Sequence, residues 1–170
     1  MTPAVHPKPE IFPETSAHAP LIDAMHNRIF GRAMFARAAH VVRQGTTPDP
    51  RFSYVVVING ELIGSVRLTN IVVGKGEGFL LGPLCVEPKF QGEGAGKALV
   101  RRAVQDVQVT DAKPVFLVGD RPYYGPLGFS QAPKGVKMPA SVDYNRVLVH
   151  WSNSGENRAD YSGIMRGIGG

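Results

Sequence analysis

The stretch 52–70, FSYVVVINGELIGSVRLTN, admits few folds. A β-branched run leads into Asn59-Gly60, a dipeptide that tolerates the two positive-φ positions of a two-residue hairpin turn. Beyond it Leu62, Gly64, Val66 and Leu68 alternate with Ile63, Ser65, Arg67 and Thr69, which is the period of a strand. An antiparallel hairpin follows. EGFLLGPLCVEP, residues 77–88, reads as another strand. Gly82-Pro83 in its middle removes a backbone donor and invites a bulge, so this strand is expected to be locally distorted.

Helical spacing appears on both sides of this β region. Leu21, Ile22, Met25 and Ile29 recur with it, and Met34, Ala38, Val41 and Val42 repeat it between Gly31 and Gly45, which predicts two short helices in succession. From Ala95, the apolar Ala98, Leu99, Ala103, Val104 and Val107 fall on one face and Lys97, Arg101, Arg102, Gln105 and Asp106 on the other. PVFLVG is a short apolar run suited to a central strand. RPYYGPLGF reads as a short helix or turn, and NRVLVHW as a last strand. Residues 1–19 are Pro-rich and expected to be extended, with EIFPE as a candidate edge strand. Residues 20–151 form the expected domain. The Gly- and Ser-rich residues 152–170 are assigned no regular structure. A chain of 170 residues is of single-domain size.

Three glycines fall within residues 92–96, between the distorted strand and the amphipathic helix. A Walker-A loop fails on spacing, because Gly92 and Gly96 are separated by three residues and Ala98 stands where a hydroxyl is needed. A dinucleotide fingerprint begins at Gly92 and Gly94 but meets Lys97 in place of its third glycine. What remains is a strand-to-helix loop of small residues whose N–H groups can converge at the positive end of a helix dipole, a nest suited to pyrophosphate. A net charge of +5 agrees with an anionic partner. The basic residues are scattered rather than interleaved with aromatics on one element, which argues against nucleic acid.

Gln91, Gly94 and Gly96 also fit the spacing Q/R-x-x-G-x-G/A, and here the sequence resembles the GNAT superfamily of acyl-CoA-dependent N-acetyltransferases. LGPLCVEPKFQGEGAGKALV resembles the family's bulged strand, cofactor loop and following helix. YYGPLGF resembles its second motif, in which a Tyr precedes Gly-Phe by four residues. The resemblance covers residues 20–150 and is nearest the YhbS-like branch. It implies an α/β (α+β) fold: a mixed, mostly antiparallel sheet of about six or seven strands with one bulged, flanked by about four helices.

The resemblance also implies a chemistry, transfer of an acetyl group from acetyl-CoA directly to a primary amine. Pantetheine is expected against the backbone of Leu84, Cys85 and Val86, with the Val86 N–H polarising the thioester carbonyl. The N–H groups of Gly92, Glu93, Gly94, Ala95, Gly96 and Lys97, next to the motif residue Gln91, are expected to take the pyrophosphate. Lys89, Lys97, Arg101 and Arg102 are candidates for the outer phosphate. Tyr124 fits the position that protonates the departing thiolate, and Tyr123 is expected beside the cofactor. The general base stays open among Glu87, Glu77, Asp120 and a water chain. Residues 30–45 and PASVDYNR are where acceptor contacts are expected. A non-catalytic acyl-CoA sensor is the alternative function.

Cys85 has no sequence-local partner that would activate it, so it is expected to be a buried small residue rather than an acetyl carrier. It is the only cysteine, which suits a reducing compartment. His6, His18, His26, His40 and His150 show no metal-ligand spacing, and no metal is expected. No apolar run approaches the roughly 20 residues of a membrane span. The N-terminus has no signal-like core, so a cytoplasmic protein is the expectation, and either a monomer or a homodimer is expected.

Overall fold

Glu10–Pro13 (β1) forms an edge strand antiparallel to Tyr54–Ile58 (β2), which turns at Asn59 and Gly60, φ 50° and 77°, into Glu61–Val73 (β3). The hairpin is therefore the one expected from Asn-Gly. The computed structural model describes residues 8–152 and 155–169, with only the backbone of Phe35 and Ala36. The first seven positions of the Pro-rich segment, His6 among them, lie outside the described residues, as do 153, 154 and 170 of the tail.

Gly76–Val86 (β4) continues the sheet antiparallel to β3, and Val115–Val118 (β5) joins it in parallel. Ser130–Gln131 (β6), Val136–Lys137 (β7), Val147–His150 (β8) and Gly163–Gly167 (β9) complete the strands. The order is β1-β2-β3-β4-β5-β8-β6, in which only β4 and β5 run parallel. β9 pairs with the far end of β3 and with β7. The helices among the described residues are Ala19–Phe30 (α1), Ala38–Arg43 (α2), Ala95–Thr110 (α3) and Arg121–Tyr124 (α4), joined by short 3-10 turns. The mixed, mostly antiparallel sheet with four helices is thus as expected, and none of the helices is long and apolar enough to cross a membrane.

Strand periodicity divides the core between two faces. Val115 and Leu117 on β5 join Phe79, Leu81, Leu99, Ala103 and Val107 beneath α3, whereas Phe116 joins Leu80, Val147, Val149, Ala38 and Val42 on the α2 side. Each fully buried large apolar side chain contributes about 1.5–3 kcal/mol. β5, buried on both faces, anchors the loop that carries the two tyrosines.

The C-terminal segment differs from its sequence-based expectation, because it contains β9 and packs into the core. Its Tyr161 is 6% exposed, with ring centroids 5.8 Å from Phe116 and 5.4 Å from Trp151, and its hydroxyl donates to the Glu77 carbonyl at 2.6 Å. Gly167 is needed for proximity, since a Cβ there would meet the Val42 carbonyl oxygen at 2.4 Å. Tyr161→Ala should therefore destabilise the fold by about 3–5 kcal/mol in urea unfolding. A change below about 0.5 kcal/mol would make the segment peripheral.

Candidate active site

The bulge expected at Gly82-Pro83 is present. Val66 faces Leu84 but Leu68 faces Leu81, so β4 carries one residue more than β3 across this step. The extra residue also shifts the phase of the strand. Leu81 faces the α3 side, and after the bulge Leu84 and Val86 face it again.

The backbone follows the same shift. The Glu87 N–H donates to the Ile63 carbonyl at 2.8 Å. In an alternating antiparallel ladder that bond turns the N–H and C=O of Val86 and Leu84 away from β3, while those of Cys85 turn towards it. The outward Val86 carbonyl accepts from Gln91 Nε2 at 3.0 Å, which ties the strand end to the loop that follows. β5 meets β4 only at Phe79 and Leu80, so beyond Leu80 the two strands part. A cavity of about 610 Å³ opens between Leu81–Leu84 on one side and Leu117–Asp120 on the other.

A second cavity, of about 520 Å³, borders the glycine loop and shares Leu84 and Tyr123 with the first. It is lined by Val86, Phe90, Gln91, Gly92, Gly94, Ala95, Gly96 and Lys97. Glu93 does not line it. Gly92 has φ 82° and Gly94 φ 92°, values that side-chain-bearing residues rarely adopt, and a Cβ at either would meet nothing within 4 Å. Backbone conformation, not crowding, selects glycine at both. Gly96 differs, because a Cβ there would lie 2.7 Å from the Tyr123 hydroxyl oxygen. Ala98 N to Gly94 O, at 3.0 Å, opens the ladder of α3. Among the described residues the N–H groups from Gly92 to Lys97 have no protein partner. Such a row at a helix N-terminus suits a phosphate.

Tyr123 and Tyr124 form α4 with Arg121 and Pro122, and their rings meet edge to face at 4.8 Å. Tyr123 reaches the loop, with Lys97 Nζ 5.5 Å from its ring centroid. Tyr124 packs on Phe129 at 5.8 Å and lines the larger cavity. Its hydroxyl has no hydrogen bond among the described residues. Burial, reinforced by Tyr123 and Asp120, raises its pKa well above the ordinary 10.0, so the phenol holds its proton at neutral pH.

The carboxylate candidates and two of the four basic ones are already engaged. Glu87 accepts from Arg28 at 2.7 and 3.2 Å, Glu77 pairs with Lys113 at 3.0 Å, and Asp120 lies 3.4 Å from Arg146. Lys89 lies 3.6 Å from Glu61 and Arg102 2.9 Å from Asp106. Lys97 and Arg101 have no ion pair among the described residues. Cys85 is buried, and its thiol pKa is pushed up to about 12 by burial and by Glu87. The described residues contain no cluster of His, Cys, Asp and Glu suited to a metal. Both acceptor stretches reach the larger cavity, Phe30 to Arg43 from one side and Ser141 to Arg146 from the other. The Arg28–Glu87 pair, 59 positions apart in the chain, carries no local sequence signal.

Residues 18–129 match the family model described as Acetyltransferase (GNAT) family. Among curated proteins, the uncharacterized N-acetyltransferase YjhQ of Escherichia coli K12 is 27% identical over 124 residues, 70% of this chain and 68% of that protein. The fold is similar to the GNAT family N-acetyltransferase YhbS of Escherichia coli in complex with CoA. That similarity has a TM-score of 0.75 at 22% identity and covers 99% of this chain and 93% of the other. It is also similar to a GNAT family acetyltransferase of Brucella melitensis in complex with acetyl-CoA. There the TM-score is 0.64 at 21% identity, with 89% and 92% covered.

Proposed function

We propose, from the premise that this chain belongs to the Acetyltransferase (GNAT) family, that it transfers an acetyl group from acetyl-CoA directly to a primary amine. One observation carries the proposal: the freed edge of β4 and the unpartnered amides of the glycine loop border adjoining cavities that share Leu84 and Tyr123. The crystallised relatives bound to CoA and acetyl-CoA support the choice of donor.

Acetyl-CoA supplies the activated acyl group as a thioester. The amides of Gly92, Gly94, Ala95, Gly96 and Lys97 hold its diphosphate, without that of Glu93, and Lys97 and Arg101 add charge nearby. The outward backbone groups of Leu84 and Val86 receive the pantetheine arm in the manner of an added strand. The Val86 N–H is the preorganised donor for charge that develops on the acyl oxygen. Gln91 fixes that residue through the Val86 carbonyl. The new carbon–nitrogen bond forms as the carbon–sulfur bond breaks, so the amine gives up one proton and the sulfur gains one. Tyr124 donates to the sulfur. Because Glu87 is held by Arg28, the amine proton leaves through water.

The test is calorimetric titration with acetyl-CoA followed by a thiol-release screen across amines. Saturable binding and amine-dependent release are expected. Binding without release from any amine would favour an acyl-CoA sensor, and no binding would end the proposal. Direct transfer also predicts that Cys85→Ala keeps turnover within about twofold, since a buried thiol of raised pKa is a poor nucleophile. Acetylated protein seen by mass spectrometry after incubation without amine, and lost in Cys85→Ala, would overturn that step.

A further inference from the structure

The larger cavity contains a cation with no counter-ion among the described residues. Arg43 closes α2, and its guanidinium lines this cavity beside the bulge, with Nη1 3.4 Å from where a Cβ on Gly82 would stand. Among the described residues the guanidinium has no hydrogen bond and no ion pair. Burial, together with the neighbouring Arg37 and Arg67, brings its pKa down to about 10, so it remains charged in neutral solution. Arg43 is half-buried, and a charge partly withdrawn from water without a partner favours pairing with an anion.

Among the described residues no carboxylate pairs with Arg43. Of the carboxylates around the cavity, Asp120 lies 3.4 Å from Arg146, and Asp143 accepts from the Asn145 N–H at 3.0 Å. Glu14 and Asp23 lie 2.7 and 3.6 Å from Arg67. Arg37, on the same cavity, sits over the Phe30 ring at 5.2 Å and has no ion pair among the described residues. Nor is this where donor phosphates are expected. The glycine loop belongs to the other cavity, beyond Leu84 and Tyr123, whereas Arg43 stands among the segments from Phe30 to Arg43 and from Ser141 to Arg146.

We infer that the acceptor is an amino carboxylate, whose carboxylate pairs with Arg43, aided by Arg37, while its amine points towards the bulge. The inference rests on the acetyltransferase proposal. A guanidinium can hold a carboxylate through two parallel hydrogen bonds, so the cavity would both neutralise and orient such an acceptor. Free amino acids and peptides with a free C-terminus share this chemistry.

The experiment compares amino acids of increasing chain length, and dipeptides, with their carboxamides, by thiol release and by calorimetry with the N-acetylated acids. Wild type should favour acids over amides by about tenfold or more in kcat/KM, the scale of a charge-assisted hydrogen-bonded pair. The chain-length and dipeptide arms identify which source fits. Arg43→Met should erase the preference and the binding of N-acetylated acids, with acetyl-CoA affinity unchanged. Arg43→Lys should restore part of both. Thermal melting separates this from a structural role, because removing a half-buried charge that has no partner among the described residues should not lower Tm. Equal rates on acids and amides, a preference untouched in Arg43→Met, or loss of acetyl-CoA affinity in that variant would each overturn the inference. If no amine releases thiol, the acetyltransferase proposal fails. Binding of N-acetylated acids to wild type and not to Arg43→Met would then still uphold the carboxylate site, and equal binding to both would refute it.

Discussion

Tyr124→Phe should lower kcat by about a hundredfold or more while leaving acetyl-CoA affinity within about twofold, the signature of a lost general acid. The substitution removes one oxygen and keeps the ring, so the edge-to-face contacts with Tyr123 and Phe129 persist and the fold is preserved. Among the described residues the hydroxyl has no hydrogen bond to lose. Its removal is therefore visible only in chemistry. Burial raises the phenol pKa above 10.0, so an activity that needs this proton should not decline where an ordinary tyrosine ionises. Stopped assays of kcat from neutral pH to beyond 10, with parallel calorimetry, check both statements. Unchanged turnover would leave Tyr124 a packing residue and make solvent the acid.

Gly94→Val should weaken acetyl-CoA binding by about tenfold to a hundredfold. At φ 92° and ψ 0° a β-branched residue is disfavoured by about 1–3 kcal/mol, and every 1.4 kcal/mol is tenfold in affinity. A Cβ at Gly94 meets nothing within 4 Å, so no clash drives the effect. The loop relieves the strain by rotating, and the amides of Ala95 and Gly96 then lose their common direction. Calorimetry on a variant with wild-type circular dichroism checks this. Wild-type affinity would mean that the amides do not carry the donor.

The parts of the fold that were legible in the sequence are those fixed by local rules. Asn59-Gly60 sets a turn, Gly82-Pro83 interrupts a ladder, and a strand followed by glycines and an amphipathic helix sets out the nest. The double tyrosine was legible only through its resemblance to a family motif. What escaped depends on contacts distant in sequence. β9 buries chiefly Met165, too little for a periodic signal. Its glycines look like flexibility in composition, yet Gly167 serves close packing against Val42. The sequence marks residues 84–86 only as a strip, and which of them offers its backbone to the gap follows from ladder alternation, set by the Glu87-to-Ile63 bond. Arg43 lies within residues 30–45, where acceptor contacts are expected. Its lack of an ion pair among the described residues becomes visible only once the partners of Asp120, Asp143, Glu14 and Asp23 are known.

The most direct measurement is a titration of the isotope-labelled protein with coenzyme A, following backbone amide resonances by NMR. The resonances of Gly92, Gly94, Ala95, Gly96 and Lys97 should move together and saturate at one affinity, with those of β1 unmoved. Shifts that bypass this loop while binding occurs elsewhere, or no shifts at all, would contradict a diphosphate held by these amides.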